Sequence, residues 1–485
     1  MLKRFLIYAW PVLFIFVMMA GCKDLDEINH DPTKPTDTEP AYLLTSAQKS
    51  SMDFLYSTLQ NGYIGMQYAQ YWTGNSRVND AQYAIDENNN TALWNAMYNS
   101  LHSLDRIITI NNQRGNNPAA KNQNAIAGIM KVWLFQVLTD AYVNVPYSQA
   151  LKEGENITPA YDKQENIYTS LIDTLQRQIS ALDPAQPTFD AGDVIYNGNV
   201  AKWKALGHSL LLRLAIRIAD VSPEKARTVI EANYASAMTD NGGDARFNYL
   251  TTAPNKFPMS DIDREISDFF VSKTLVDYMQ SLNDPRLPVY ARPSVNGPIN
   301  GLEYGRSAND PGRLAPANYS YPGVRIYSDT MPGILMTYPE VAFTLAEAAA
   351  RGWNVGEGAP ALYEKGIRAS MAFWGITTGV DEYITSVPYD AGDWKNVIGT
   401  QKWLALYPQG FQAWFERLRL DFKQPNGDSL FIAPYSGSLD QNVPYVPSRL
   451  TYPLAEQTQN AAAYQKAAAD IKGDTKASKS WWDLN

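Results

Sequence analysis

The chain has 485 residues, 45% of them hydrophobic, and 41 basic residues against 50 acidic ones give a formal charge of -9. That size and mixed charge belong to a globular protein with room for a large core, not to a disordered chain. A single cysteine excludes an internal disulfide framework and a Cys-rich zinc site, and without a Lys/Arg run there is no footprint for nucleic acid.

Lys3 and Arg4 precede the apolar run Phe5 to Ala20, which Pro11 interrupts. Such a run is short for a spanning helix and has the form of a signal peptide. The cysteine lies at its end. Met19-Ala20-Gly21-Cys22 resembles the lipobox of bacterial lipoproteins, with Met19 in place of the usual leucine. Residues 1–21 are therefore expected to be a signal peptide and Cys22 the lipidated residue, anchoring the protein to a membrane without spanning it. Lys23-Asp24-Leu25-Asp26-Glu27 resembles the acidic signal that sends Bacteroidetes lipoproteins to the outer face of the outer membrane. Residues 28–40 carry three prolines and no apolar periodicity. Residues 22–40 thus read as a lipidated flexible tether and 41–485 as the working domain.

From there the body of the chain reads as helical. Gln67 to Arg77 (QYAQYWTGNSR) crowds aromatic and polar groups at a predicted helix end. Apolar residues then recur every three to four positions through Ile126, Ile129, Val132, Trp133 and Val137. The same period runs through Ile167, Leu171, Ile172, Leu175, Ile179 and Leu182, where Asp162 and Glu165 fit a capping box, and through Trp203, Leu206, Leu210, Leu214 and Ile218. Further helices are predicted over 268–282, 337–351, 360–374 and 401–419. No series of strands alternates with them, as a doubly wound sheet would require. The expected fold class is all-α, a large single domain of stacked helical hairpins with long irregular loops. The longest loop, 283–330, holds seven Pro, five Gly and five Tyr. Its tyrosines argue for an ordered, functional loop, since disordered segments are poor in aromatics. Similar stretches run over 241–265, 376–400 and 423–452.

Sequence signals for chemistry are weak. Gly356-Glu357-Gly358-Ala359-Pro360-Ala361 fits a dinucleotide pattern, but a helix and not a strand precedes it. Gly207-His208-Ser209 lacks the second glycine of a nucleophile elbow and lies within an amphipathic helix. No H-E-x-x-H, EF-hand or Walker motif is present, so the sequence offers no argument for a metal, a cofactor or phosphate chemistry.

Six segments, in order, resemble the SusD/RagB family of surface nutrient-binding lipoproteins. Val132 to Tyr147 (VWLFQVLTDAYVNVPY) is similar to the family's helix ending in a Tyr-Gly-Asp-Val-Pro-Tyr turn, with Val143-Asn144 departing from it. Ala201 to Lys204 (AKWK) with Ser209 to Arg217 (SLLLRLAIR) resembles its Trp-Lys and Ser-Leu-Arg-Leu-Arg-Leu helix, and Asn283 to Leu287 (NDPRL) its Asp-Pro-Arg-Leu turn. Tyr338 to Ala348 (YPEVAFTLAEA), Tyr363 to Ser370 (YEKGIRAS) and Val446 to Pro453 (VPSRLTYP) with Glu456 and Asn460 complete the order. Most of these residues have structural explanations: the prolines set turns, the alanines allow close helix packing, and Glu340 and Glu347 can brace neighbouring helices. The resemblance implies a helical-hairpin scaffold, tetratricopeptide-like in part, that carries ligand contacts in its loops.

It also implies a function: binding of an oligosaccharide at the cell surface, without catalysis, and its delivery to a SusC-like TonB-dependent transporter under a hinged lid. Aromatic faces stack on sugar rings while amide and guanidinium groups meet the hydroxyls. The ligand-binding candidates are Trp72, Asn75 and Arg77 at the helix end, and Tyr304, Asn309, Tyr319, Tyr321, Arg325 and Tyr327 in the long loop. An equal reading makes Tyr68, Tyr71 and Trp72 core aromatics at helical spacing. Two rival functions stay open: the same scaffold binding oligopeptides, and a surface α-helical glycoside hydrolase with two carboxylates facing across a cleft.

Overall fold

A computed structural model describes residues 38–152, 156–260 and 268–485. The signal segment, Cys22 and the tether as far as residue 37 lie outside the described residues.

The first half is a run of helices packed on their chain neighbours. After α1 (Pro40–Leu55), a π-helix (Thr58–Met66) and the single turn α2 (Val78–Ala81) come α3 (Glu87–Arg114), α4 (Ala120–Tyr142), α5 (Gln164–Ala181), α6 (Val200–Arg217) and α7 (Pro223–Asn233). Helix α3 packs on both α1 and α4, α4 on α5, α5 on α6, and α6 on α7. The pattern follows from amphipathic faces: in α5, Ile167, Leu171, Ile172, Leu175 and Ile179 are all buried. Asn199 starts α6 by accepting the Lys202 amide at 3.0 Å.

The second half contains α8 (Lys273–Ser281), α9 (Leu287–Tyr290), α10 (Tyr338–Ala350), α11 (Ala359–Phe373), α12 (Val380–Ser386), α13 (Trp394–Ala405), α14 (Gly410–Leu420), α15 (Leu454–Gln459) and α16 (Ala461–Asp470). Helices α10 and α11 form a hairpin on which α13 lies, and α14 packs on α13. Contact between α6 and α10 joins the two halves. Six short strands pair antiparallel: β1 (Trp72–Gly74) with β5 (Phe269–Val271), β2 (Val145–Pro146) with β3 (Tyr161–Asp162), and β4 (Ala245–Phe247) with β6 (Gly333–Met336). Residues Pro40–Asn485 make one compact unit. Among the described residues no helix is long and apolar enough to cross a membrane.

Several sequence motifs turn out to be buried ion pairs, which must be fully partnered to be tolerated away from water. Arg213 of α6 meets Glu340 of α10 through two hydrogen bonds of 2.6 and 2.7 Å. Arg419 of α14 binds both oxygens of Glu347 in α10 at 2.7 and 2.6 Å and reaches Glu416 at 2.7 Å. Lys402 of α13 donates to the same Glu416 at 3.1 Å. In the Asp-Pro-Arg-Leu turn, Arg286 is fully buried, paired with Asp284 and bonded to Ser370, Tyr383 and Gln401.

Four predicted stretches differ, one of them 376–400, read as irregular but carrying α12 (Val380–Ser386) and the start of α13 (Trp394–Ala405). The span 268–282 is not one helix: Phe269-Phe270-Val271 form β5, and Ser272 caps α8 by accepting the Thr274 amide at 3.2 Å. The span 401–419 is two helices, because Pro408 lacks the amide that would continue α13 into α14. Asp162 does not cap α5, whose N-cap is Lys163; its carboxylate instead takes the amides of Tyr147 and Ser148 at 3.2 and 2.8 Å.

Candidate functional site

Strand β1 is itself buried and delivers the chain to the surface only after Gly74. Trp72 pairs with Val271 and Gly74 with Phe269, and the ladder ends as the Asn75 amide donates to the Asp268 carbonyl at 2.8 Å. The chain then turns so tightly that a side chain at Gly74 would begin 2.6 Å from the Arg77 carbonyl oxygen. This turn exposes Ser76 and Arg77 beside a half-buried Asn75. The Asp268 carboxylate accepts from the Tyr63 hydroxyl at 2.6 Å and from Ser76 Oγ at 3.1 Å. Above Tyr63 lies the Arg77 guanidinium, 4.2 Å from the ring centroid, with its Nε 3.1 Å from Asp80. Burial pushes the Asp80 carboxyl up to about 6, against the pull of Arg77.

The long loop adds a second edge. Arg313 donates from Nη2 to the Asn75 carbonyl at 3.2 Å and to Asn75 Oδ1 at 2.9 Å, joining positions 238 residues apart. Tyr319 and Leu302 pack with Phe270 into a small cluster, with the half-buried Tyr321 against it, its ring centroid 4.9 Å from that of Phe270. The cluster holds the loop in place: the Tyr319 hydroxyl accepts the Leu314 amide at 3.0 Å. Asn309 is exposed in the neighbouring turn, its amide donating to Ser307 Oγ at 3.2 Å.

The structure thus leaves Asn75 and Arg77 in the turn after β1 and Tyr321 half-buried against Phe270, and withdraws other candidates. Trp72 is fully buried, its indole NH donating to the Tyr407 hydroxyl at 3.0 Å and its ring stacked 5.9 Å from Tyr327. Tyr304 is fully buried and Tyr319 nearly so. None of these three rings has a face open to a ligand, so they are corrected to packing residues; the alternative reading of Tyr68, Tyr71 and Trp72 as core aromatics anticipated this for Trp72 and not for Tyr304 or Tyr319. Tyr327 is half-buried, its ring stacked on Trp72 and its hydroxyl buried. Arg325 bonds the Phe373 carbonyl at 2.9 Å and lies over Trp374, at the end of α11. Sequence reasoning missed Arg313 and Asp268, since nothing local distinguishes Arg313 from Arg325, and it held Ser76 only as part of the run Gln67 to Arg77.

Other features carry less chemistry. A cavity of about 780 Å³ beyond α4 is lined by Lys163, Lys472, Lys479 and Trp481, and none of the predicted site residues lines it. His208 faces Asn233, Nδ1 to Oδ1 2.8 Å, and burial lowers its pKa. Among the described residues no group of three or more His, Cys, Asp and Glu is placed to hold a metal ion.

Stacked helical hairpins with a polar and aromatic patch built from loops define a binding scaffold. The chain belongs to the SusD-like family, whose profile, described as starch-binding and associating with the outer membrane, matches residues 32–453. A solved chitin-binding protein is 30% identical with a TM-score of 0.81, over 92% of this chain and 100% of that one. A SusD homologue from Bacteroides uniformis is 26% identical with a TM-score of 0.79, over 92% and 100% of the two chains. At 24% identity and a TM-score of 0.78, a chitin-binding SusD homologue from Flavobacterium johnsoniae shares the fold over 91% of this chain and 99% of its own. No curated protein matches the chain.

Proposed function

We propose that this protein is a cell-surface lipoprotein, lipidated at Cys22, that binds an oligosaccharide and passes it to a SusC-like TonB-dependent transporter in the outer membrane. The observation that carries the binding part is the convergence of Asn75, Ser76, Arg77, Asp268 and Arg313 at the end of β1. Together they offer amide, hydroxyl, carboxylate and guanidinium groups, which donate to and accept from the hydroxyls of a sugar. The family's description as starch-binding and the 30% identical chitin-binding relative support the same reading. A tether over residues 22–40 suits a lid that opens and closes over a transporter, keeping ligand at high local concentration. The oligosaccharide leaves chemically unchanged.

Titration calorimetry with malto- and chito-oligosaccharides tests the site. Asn75→Ala and Arg313→Ala are each expected to weaken binding by roughly tenfold, the worth of one or two hydrogen bonds to a charged or amide group, with little change in melting temperature. Trp72→Ala serves as the contrast, since it empties a core position and lowers stability by about 3–5 kcal/mol. Native affinity in both surface variants would remove the site, and depolymerised sugar after incubation would make the protein a hydrolase.

A further inference from the structure

The cavity of about 780 Å³ lies between the turn after α4, the start of α5 and the chain that follows α16. Its size suits a small organic molecule. Three exposed lysines, Lys163, Lys472 and Lys479, line it, and among the described residues none of them forms an ion pair. Of the two acids in the lining, Asp470 is held by Lys466 at 2.8 Å, which leaves Glu165 alone against the three. The chain as a whole has a formal charge of -9, so this excess of cations is local. A concave wall focuses their field on whatever enters.

The wall is firmly built. The Trp481 amide donates to Gln164 Oε1 at 2.7 Å, and Gln164 Nε2 donates to the Thr139 carbonyl at 2.6 Å. The next residue, Trp482, is 1% exposed, with its indole NH on Asp140 Oδ1 at 3.0 Å. Half-buried Trp481 thus hangs from an anchored chain. The turn after α4 is also where this sequence departs from the family motif, with Val143-Asn144 in place of Gly-Asp. Both residues line the cavity. Asn144 Oδ1 accepts the Gln164 amide at 2.9 Å, a bond that an aspartate would make equally well. The exchange therefore leaves the turn its hydrogen bond and removes a negative charge from the cavity.

We infer that this cavity is a second binding site, which takes a small organic anion carrying two or more carboxylate or phosphate groups on a ring. The ammonium groups of Lys163, Lys472 and Lys479 meet the charges as donors without fixed geometry, and Val143, Ile471 and Trp481 give the body of the ligand an apolar wall. The site is separate from the Asn75–Arg313 cluster and stands whether or not the oligosaccharide reading holds.

The test is titration calorimetry on the whole protein at low salt with digalacturonate and myo-inositol hexakisphosphate, and with maltose as the uncharged control. At least one of the two anions should bind, and the one that does separates a carboxylate-bearing sugar from a phosphate-bearing ligand. Binding should weaken as salt is raised. The double variant Lys163→Ala/Lys479→Ala should weaken the anion roughly tenfold and leave maltose and the melting temperature unchanged, since Lys163 makes no capping hydrogen bond to α5. Asn144→Asp, which restores the family's acid, should weaken the anion roughly fivefold. Lys121→Ala/Lys423→Ala removes the same charge from exposed positions outside the cavity and should bind like the native protein. Native affinity in the Lys163/Lys479 pair or in Asn144→Asp overturns the inference. So does an equal loss in the Lys121/Lys423 pair, as for attraction to the surface at large, and so does binding of neither anion to the native protein.

Discussion

Asp80 lies 2% exposed below the candidate site, and its carboxyl titrates at about 6 in the fold against a reference of 3.8. The native state therefore holds this proton more tightly than the unfolded chain does. At this position stability is greatest below about pH 4, falls as the pH rises toward 6, and stays at its lower value above that. Asp80→Asn keeps the shape and removes the titration. Chemical denaturation at pH 4.5 and 7 should find the variant gaining about 2 kcal/mol on the native protein between the two. A difference that does not change with pH would mean that Asp80 does not titrate in this window. The same residue illustrates what single positions conceal in sequence. Asp80 and Asp268 are two acids among fifty, and only their neighbours make one a desolvated partner of Arg77 and the other an acceptor for Tyr63 and Ser76. Aromatic residues are equally ambiguous: Trp72 and Tyr435 both sit in loop-flanked, polar stretches, and one is core while the other is open to solvent.

Where α14 crosses the π-helix, two backbones touch. A side chain at Gly410 would begin 2.3 Å from the carbonyl carbon of Gly65 and 2.4 Å from the Met66 amide nitrogen. Asn61 seals the crossing, donating to the Pro408 carbonyl at 3.0 Å and accepting the Gly410 amide at 3.2 Å. Backbone cannot rotate aside as a side chain can, so Gly410→Ala has to push the elements apart. A loss of about 2–3 kcal/mol is expected from the urea midpoint, and a native midpoint would mean that the crossing tolerates separation. At this scale the sequence was legible where periodicity was uninterrupted, as in α5 and α6. It misled where apolar residues kept their spacing across a break: Trp403, Leu404, Phe411 and Trp414 read as one face although Pro408 divides them. The run Phe269-Phe270-Val271 was absorbed into a helix because three residues are too few to declare a strand without their partner, β1. Val143 stands where the family pattern has glycine, and it takes φ 71 all the same, a conformation that a β-branched residue rarely adopts. The surrounding turn, not the residue, dictates that geometry.

For the molecule as a whole, ion pairs between helices distant in the chain hold the hairpins together: Arg213 with Glu340 across 127 positions, and Arg419 with Glu347 across 72. On the proposed function, Cys22→Ser in cells should shift the protein from the membrane to the soluble fraction while leaving its oligosaccharide affinity unchanged. Retention of the variant in the membrane fraction would remove the lipid anchor from the reading.

By itself the sequence determined the class of the fold and the family. Helical periodicity and proline turns are local properties of the chain, written in residues a few positions apart, and the order of the motifs is read directly along it. The candidate surface was decided only by the tertiary structure. Asn75 meets Arg313 and Ser76 meets Asp268 across 100 residues or more of intervening chain. Which ring is buried and which is left with an open face depends on what packs over it, and that is a property of the folded molecule.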